Sequence, residues 1–404
     1  MSPRSYRRRR LSALLGALGL LAAMTAIVVG SSGSSFHPPH YVPSGGSVTS
    51  PRSATASLKT AGAPNWRPAP AAIRVAARLS LARQVAQLFL VSVRGNSAAA
   101  ARGLTGSGWG GVVLERGNFV SPAGLHALTG ALRMALTAEH RVAPLIAAGQ
   151  EGGPANAFPG LPPRDEATLG AAGNASAAAR EATLAADRLR ALGVTMTLAP
   201  LADVDIPTGA LSGRLFGTDP TTVAQFTSQA VAGYARGGLI DAVSHFPGEG
   251  SASADPDQQA ATVGDTLASL RSRDLVPFAA VTSRAPVIQL SNAAYAAFDG
   301  VTPASLLPGV VALLRSTLHF QGVVLSGPLE ATLQPGAAAL GSAAAQAVSA
   351  GNDLLYVNGP PADQQAAYTG VLAAARRASA MRDLVRQALL RDLTLKARYG
   401  LLTG

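Results

Sequence analysis

The chain has no cysteine, few aromatic residues and little charge. The absence of cysteine excludes a disulfide scaffold, a thiolate metal site, a cysteine nucleophile and lipidation on cysteine. Charged residues are 14% of the 404 positions and hydrophobic residues 48%, a balance that excludes a disordered chain. Aromatic residues are only 5%, so the core must be built from aliphatic and small side chains. The basic residues form no stripe, which argues against a nucleic-acid partner.

The amino terminus accounts for much of the net charge of +11, because Arg4 and the arginines at 7–10 precede an uncharged apolar segment. That segment, residues 11–30, is long enough to span a membrane. The pattern predicts export, with the rest of the chain outside the cytoplasm, and leaves open a cleaved signal peptide or a membrane anchor over residues 1–30. Residues 31–70 are rich in Ser, Gly and Pro and predict a flexible linker. We therefore expect a secreted or membrane-anchored cell-envelope protein whose globular domain covers residues 71–404.

Within that domain, short apolar runs alternate with Ala-rich segments of helical length. Eight such runs imply a parallel sheet covered by helices, an α/β fold. Eight units favour a closed (β/α)8 TIM barrel, with an open doubly wound sheet as the alternative. In a barrel, chemistry is expected on the loops that follow the strands. The runs are 87–93, 108–115, 143–149, 194–205, 239–246, 285–291, 320–326 and 352–357.

Several motifs, taken in order along the chain, resemble glycoside hydrolase family 3. The resemblance is specifically to the single-barrel bacterial β-N-acetylglucosaminidases (β-N-acetylhexosaminidases). The similarity runs from about Leu79 to Leu402. The motifs are LSLARQVAQLFLVS, QEGG (150–153), APLADVD, GRLFGTDP (213–220), SHFPGEG (244–250), RDLVPF (273–278), AGNDLL (350–355) and RDLTLKARYGL (391–401).

The resemblance implies a retaining exo-β-N-acetylglucosaminidase that acts on cell-wall-type sugars. No cofactor is expected, and no metal site, because no group of His, Asp and Glu residues has metal-ligand spacing. Members of the family use an aspartate nucleophile just after strand seven. In this subgroup the acid/base is a histidine of a D-S-H loop after strand five, oriented by an aspartate. A retaining mechanism needs both groups, one to attack the anomeric carbon and one to protonate the leaving oxygen.

The chain departs from the family at those positions. The family's S/T-D-D-L corresponds to Ser326–Leu329, so Gly327 replaces the nucleophile. The D-S-H loop corresponds to 255–257, so Asp257 replaces the acid/base histidine. Ser244 and Glu249 replace the lysine and the second histidine of K-H-F-P-G-H-G. Glycine cannot attack, and loss of such a residue typically costs on the order of 10⁴-fold in rate.

Candidate residues remain around the expected site. Asp255, Asp257 and Glu330 are the candidate catalytic carboxylates, since Glu330 lies three residues after Gly327. An alternative interpretation makes Glu330 a solvated loop carboxylate, and makes Arg214 the partner of Asp203 or Asp219 in an internal ion pair. The candidate substrate-binding residues are Glu151, Asp203, Arg214, His245 and Glu249.

Two hypotheses follow from these residues. The first is a pseudoenzyme that holds a cell-wall glycan, an amino sugar or an unidentified protein partner without cleaving it. The second is an active β-N-acetylhexosaminidase with displaced carboxylates, Glu330 as nucleophile and Asp257 as acid/base. The second requires Glu330 to face the barrel mouth, and glycan binding requires a mouth that side chains do not fill.

Overall fold

The computed structural model describes residues 66–137, 142–333 and 339–402. The predicted signal or anchor segment, 1–30, lies outside the described residues, as does most of the predicted linker. Within the described residues, no helix is both long enough and apolar enough to cross a membrane.

Eight parallel strands form a closed barrel. They are β1 (Phe89–Ser92), β2 (Gly111–Leu114), β3 (Leu145–Ala148), β4 (Met196–Thr197), β5 (Ile240–Phe246), β6 (Val287–Leu290), β7 (Val323–Pro328) and β8 (Leu354–Val357). Each strand pairs with its neighbours in chain order, and β1 pairs with β8 to close the barrel. The (β/α)8 prediction is therefore confirmed, and the open sheet is excluded.

Helices surround the barrel. They are α1 (Pro70–Ala76), α2 (Leu81–Ala86), α3 (Pro122–Leu136), α4 (Glu166–Ala171), α5 (Ala175–Ala191), α6 (Pro220–Arg236), α7 (Leu267–Ser272), α8 (Leu275–Val281), α9 (Pro308–Ala312), α10 (Leu340–Ala350), α11 (Pro361–Arg377) and α12 (Ser379–Arg398). Short 3₁₀ helices lie at Ala98–Leu104, Arg116–Asn118, Gly153–Ala155, Ala304–Leu306 and Leu329–Thr332, and a π-helical turn at Leu313–Thr317.

Local sequence signals explain where the helices begin and which face they bury. Helix α6 begins at Pro220, whose missing N–H is not needed in a first turn, and the Asp219 carboxylate caps it by accepting the N–H of Thr222 at 2.7 Å. Its buried residues include Val223, Phe226 and Ala230, at helical spacing. This stripe packs towards the barrel and holds α6 beside α5.

The inside of the barrel is apolar in its lower layers and polar at the top. Side chains alternate along a strand, so every second residue points inward. The interior cluster includes Val287, Val323, Leu325, Leu354 and Tyr356. The next inward positions towards the carboxyl ends are Gln289 on β6 and Gly327 on β7. This upper layer forms the floor of the barrel mouth.

Two details differ from the sequence-based expectation. Strand β4 covers only Met196–Thr197 of the run 194–205. Two short strands outside the barrel, Thr262–Val263 and Ala294–Tyr295, pair with each other. Trp66, in the predicted linker, contacts Arg391, with 4.8 Å between the guanidinium carbon and the centre of the ring.

Candidate functional site

The carboxyl ends of the strands open into a pocket of about 280 Å³. Among the residues expected at the site, the structure brings Glu151, His245 and Asp257 together in its lining. The other candidates on the β4 and β5 loops contact these three residues but do not line the pocket; they are Asp203, Arg214, Glu249 and Asp255. Glu330 does not line the pocket either. The polar lining residues are Glu115, Arg116, Glu151, Asn156, His245, Asp257, Gln289 and Tyr356.

Asp203 anchors the loop that follows β5. Its carboxylate is fully buried, and Oδ2 accepts both the backbone N–H of His245 at 3.1 Å and its ring Nδ1–H at 3.0 Å. Oδ1 accepts the backbone N–H of Glu249 at 2.6 Å. Asp203 therefore sets the orientation of the imidazole and does not itself line the pocket.

His245 and Glu249 form a tightly coupled buried pair, with 3.4 Å between Nδ1 and Oε2. Burial alone lowers the pKa of His245, but the carboxylates of Glu249 and Asp203 outweigh it and hold this pKa well above 6.5. Burial raises the pKa of Glu249 to about 8, against the opposing effect of the imidazolium. The imidazole therefore favours its protonated form and presents a donor on its Nε2 side.

Asp257 lies on that Nε2 side, with 4.0 Å between Nε2 and Oδ2. Burial raises the pKa of Asp257 to about 6; the His245 imidazolium opposes this rise and the Asp255 carboxylate adds to it. Within the described residues, Oδ1 of Asp257 has no hydrogen-bond partner. Asp257 is therefore a carboxyl group in the pocket whose hydrogen-bonding capacity the protein leaves unused.

Glu151, Arg214 and Asp255 link the β3 loop to the β5 loop. Arg214 Nη2 donates to both carboxylate oxygens of Glu151, at 3.0 and 2.8 Å, and Nη1 lies 3.7 Å from Asp255 Oδ2. The alternative ion pairs are wrong, because Asp203 is held by His245 and Asp219 caps α6. Within the described part of the chain, no group of three or more acidic or histidine side chains could hold a metal ion.

The space beside Gly327, the position that corresponds to the family's nucleophile in the sequence, is occupied by a neutral amide. A Cβ atom on Gly327 would lie 2.4 Å from Nδ2 of Asn292. That amide is fixed on both sides, because Nδ2 donates to the Pro328 carbonyl at 2.9 Å and Oδ1 accepts the Ser305 hydroxyl at 2.7 Å. The space beside Gly327 is therefore occupied and contains no ionisable group.

Glu330 binds the loop after β8. Its two oxygens accept the backbone N–H of Asn358 at 3.1 Å and of Gly359 at 2.6 Å. Burial raises the pKa of Glu330, and these hydrogen bonds oppose the rise. Glu330 therefore does not line the pocket that Asp257 lines, whereas the enzyme hypothesis requires both carboxylates to face it.

Sequence reasoning missed Gln289, Tyr356 and Asn292. Counting inward positions along β6 and β8 would have pointed to Gln289 and Tyr356, since each lies two residues beyond an interior aliphatic residue, Val287 and Leu354. No local signal marks Asn292, because its contact with Gly327 joins two different strand-end loops.

Comparison with known proteins supports the family resemblance. The profile of the glycosyl hydrolase family 3 N terminal domain matches residues 80–395. A beta-hexosaminidase of Stenotrophomonas maltophilia (strain K279a) is 32% identical over 260 residues, covering 62% of this chain and 76% of that protein.

Two solved structures are similar to the barrel. A glycoside hydrolase family 3 beta-N-acetylglucosaminidase from Paenibacillus sp. str. FPU-7 aligns with a TM-score of 0.73 and 30% identity, over 81% of this chain and 64% of that one. A beta-N-acetylhexosaminidase from Beutenbergia cavernae DSM 12333 aligns with a TM-score of 0.69 and 29% identity, over 80% of this chain and 99% of that one.

Proposed function

Since the chain belongs to glycosyl hydrolase family 3, we propose that its barrel binds an amino-sugar glycan without hydrolysing it by nucleophilic attack. One observation carries the proposal: the Asn292 amide fills the space next to Gly327. The names of the relatives, beta-hexosaminidase and beta-N-acetylglucosaminidase, support an amino sugar as the ligand.

The chemistry of retention explains why this observation matters. A retaining glycosidase needs a carboxylate that attacks the anomeric carbon and a second group, about 5–5.5 Å away, that protonates the leaving oxygen. An amide nitrogen is not nucleophilic, and the Asn292 amide is held by two hydrogen bonds. A side chain at position 327 would collide with this amide.

The other half of the site still supports sugar binding. The His245 imidazolium offers a donor, and Asp257 and Glu151 offer acceptors, in one pocket. Sugar hydroxyl groups donate and accept hydrogen bonds, so they suit such a mixed lining. A second cavity, of about 360 Å³, shares Glu115 with the pocket, which supports a ligand longer than one sugar.

The test combines turnover and binding on the full-length protein. We expect no release of aryl alcohol from an aryl β-N-acetylglucosaminide at high protein concentration. We expect calorimetry to detect binding of β-1,4-linked N-acetylglucosamine oligosaccharides, and Asp257→Ala to weaken it. Turnover well above that of a heat-denatured control would contradict the loss of hydrolysis, and absence of any binding would contradict the glycan ligand.

The alternative function, hydrolysis with displaced carboxylates, is favoured by one observation. Asp257 has a pKa of about 6 and lines the pocket, which suits a general acid. Its proposed partner Glu330 is bound to the amides of Asn358 and Gly359. If the wild-type protein turns over the aryl glycoside and Asp257→Asn abolishes this activity, the alternative function replaces the first.

We also propose that the barrel lies outside the cytoplasm, in the cell envelope, and is membrane-anchored or secreted. The support is the arginine-rich start and the apolar segment 11–30. A fusion of residues 1–70 to a reporter that is active only after export tests this proposal. An inactive reporter in intact cells would contradict it.

A further inference from the structure

The floor of the pocket contains a buried amide without a protein partner. Gln289 is 3% exposed and points inward from β6, and its side chain lines the pocket. Its backbone pairs with Leu325 of β7, which fixes the position of the side chain at the mouth. Within the described part of the chain, no hydrogen bond is made by its carboxamide.

Other buried amides near the pocket are fully used, which makes Gln289 an exception. Gln150 donates to the carbonyls of Phe158 and Leu161, at 3.2 and 2.6 Å, and accepts the Phe158 N–H at 2.8 Å. Asn292 is held by Pro328 and Ser305. A buried amide is expected to have partners, so a free one that faces a pocket indicates that a ligand supplies them.

From this geometry we infer that Gln289 recognises the acetamido group of a bound N-acetylated amino sugar, an inference that rests on the proposed glycan binding. A carboxamide presents one acceptor and two donors in a plane. An acetamido group is trans, so its N–H and its carbonyl point to opposite sides and one carboxamide meets only one of them. The Nε2 of Gln289 donates to the acetamido carbonyl, an acceptor that an ammonium group at the same sugar carbon lacks and that a hydroxyl group replaces with a weaker one.

The neighbouring polar groups suit the parts that all hexoses share. The Tyr356 hydroxyl lines the same pocket from β8 and makes no hydrogen bond within the described residues. Asp257 and the His245 imidazolium face the pocket from the β5 side. These groups meet hydroxyls, so they contribute affinity for any hexose, and selectivity for the acetamido group falls to Gln289.

The experiment compares three methyl β-glycosides, those of N-acetylglucosamine, glucosamine and glucose, by calorimetry on the full-length protein. The variant is Gln289→Leu, which keeps the size of the side chain and removes the amide. The matched control is Tyr356→Phe, which removes a hydroxyl from the same layer. Because Gln289→Leu replaces an unpaired buried amide with an apolar group, we expect its melting temperature to equal or exceed that of the wild type.

We expect the wild type to prefer the acetamido sugar, and Gln289→Leu to lose about tenfold in affinity for it and less than about twofold for the glucoside. Tyr356→Phe should weaken all three sugars in similar proportion. A preference that survives in Gln289→Leu would overturn the role of Gln289 and leave glycan binding intact. A wild type that binds none of the three sugars, or the oligosaccharides, would overturn the proposed function itself.

Discussion

The ends of β5 and β7 lie at the same mouth of the barrel, but their chemistry is opposite. At β5, Asp203, His245, Glu249 and Asp257 form a chain of ionisable groups within hydrogen-bonding or ion-pairing distance. At β7, Gly327 has no side chain, and a neutral amide with satisfied hydrogen bonds covers it.

The comparison separates binding from bond cleavage. Buried charges lower stability unless partners or a ligand compensate for them, so the β5 cluster is an energetic burden for an unliganded scaffold. The space beside Gly327 carries no such burden, because the Asn292 amide that fills it is neutral and hydrogen-bonded. Under the proposed function, the β5 side contacts the sugar and the β7 side lacks a group that could attack the anomeric carbon.

The largest effect is expected from breaking the β5 cluster at its anchor. Asp203→Ala removes the acceptor for three N–H groups of His245 and Glu249. Because the change removes the carboxylate that accepts a hydrogen bond from the buried imidazolium, we expect a loss of about 3–5 kcal/mol in the free energy of unfolding. Urea denaturation measures this loss.

Asp203→Asn is the conservative control, since it keeps an acceptor for one or two of these donors. It should retain part of the stability that Asp203→Ala loses. If Asp203→Ala were as stable as the wild type, the Asp203 carboxylate would not hold the β5 cluster together. The contrast between the ends of β5 and β7 would then fail.

The second prediction tests whether the β7 end is truly filled. Gly327→Ala places a Cβ within 2.4 Å of Asn292 Nδ2, and the fixed amide cannot swing away without losing hydrogen bonds. We expect a loss of about 2 kcal/mol in the free energy of unfolding. In the Asn292→Ala background the same substitution should be less destabilising, since the collision is gone.

The matched control is Gly264→Ala, because no atom lies within 4 Å of a Cβ built there. It should stay within about 0.5 kcal/mol of the wild type in the same denaturation series. Additive effects of Gly327→Ala and Asn292→Ala would mean that the amide does not occupy the nucleophile's space.

The third prediction concerns the pH dependence that the β5 cluster imposes. The pKa of Glu249 is about 8 in the folded protein, against an ordinary 4.5, so the folded state holds a proton that the unfolded state releases. Stability should therefore fall as pH rises from about 4.5 to about 8. The raised pKa of His245 acts in the same direction, since its contribution is lost as pH rises through that pKa.

Glu249→Gln should flatten this profile, since an amide at this position binds no proton between pH 4.5 and pH 8. Melting temperatures measured between pH 5 and pH 8.5 report the slope. Glu181→Gln, which removes a carboxylate of α5 that pairs with Arg164, is the control and should keep the wild-type slope. If Glu249→Gln kept the wild-type dependence of melting temperature on pH, a group other than Glu249 would cause that dependence.

The fold could be predicted because both faces of each barrel strand are buried. Such strands read as continuous apolar runs, and β5 and β8 lie within the runs 239–246 and 352–357. The end of β4 could not be predicted from hydrophobicity, because the strand ends at Thr197 although the residues from Leu198 to Ala202 are still apolar.

The candidate site could be predicted in part, for a related physical reason. Glu151, His245 and Asp257 follow strand ends, and the carboxyl ends of all strands meet at one mouth. Glu330 also follows a strand end, but the amides of Asn358 and Gly359 capture its carboxylate. Spacing along one segment does not reveal a contact with a neighbouring loop, which is also why Asn292 was missed.

The smallest effect on stability and glycan affinity is expected from a substitution of Glu330, the carboxylate that follows β7. Glu330→Gln keeps an oxygen that accepts the N–H of Gly359, and it removes a partly buried charge whose pKa burial has raised. We expect the free energy of unfolding to change by less than about 1 kcal/mol, and the affinity for N-acetylglucosamine oligosaccharides to stay within twofold of the wild type. Calorimetry on Glu330→Gln beside Asp257→Asn makes the contrast explicit, since only the latter changes a group that lines the pocket. A Glu330→Gln protein that loses binding while remaining folded would make the β7 side functional, because its carboxylate would then act beyond the two amides that hold it.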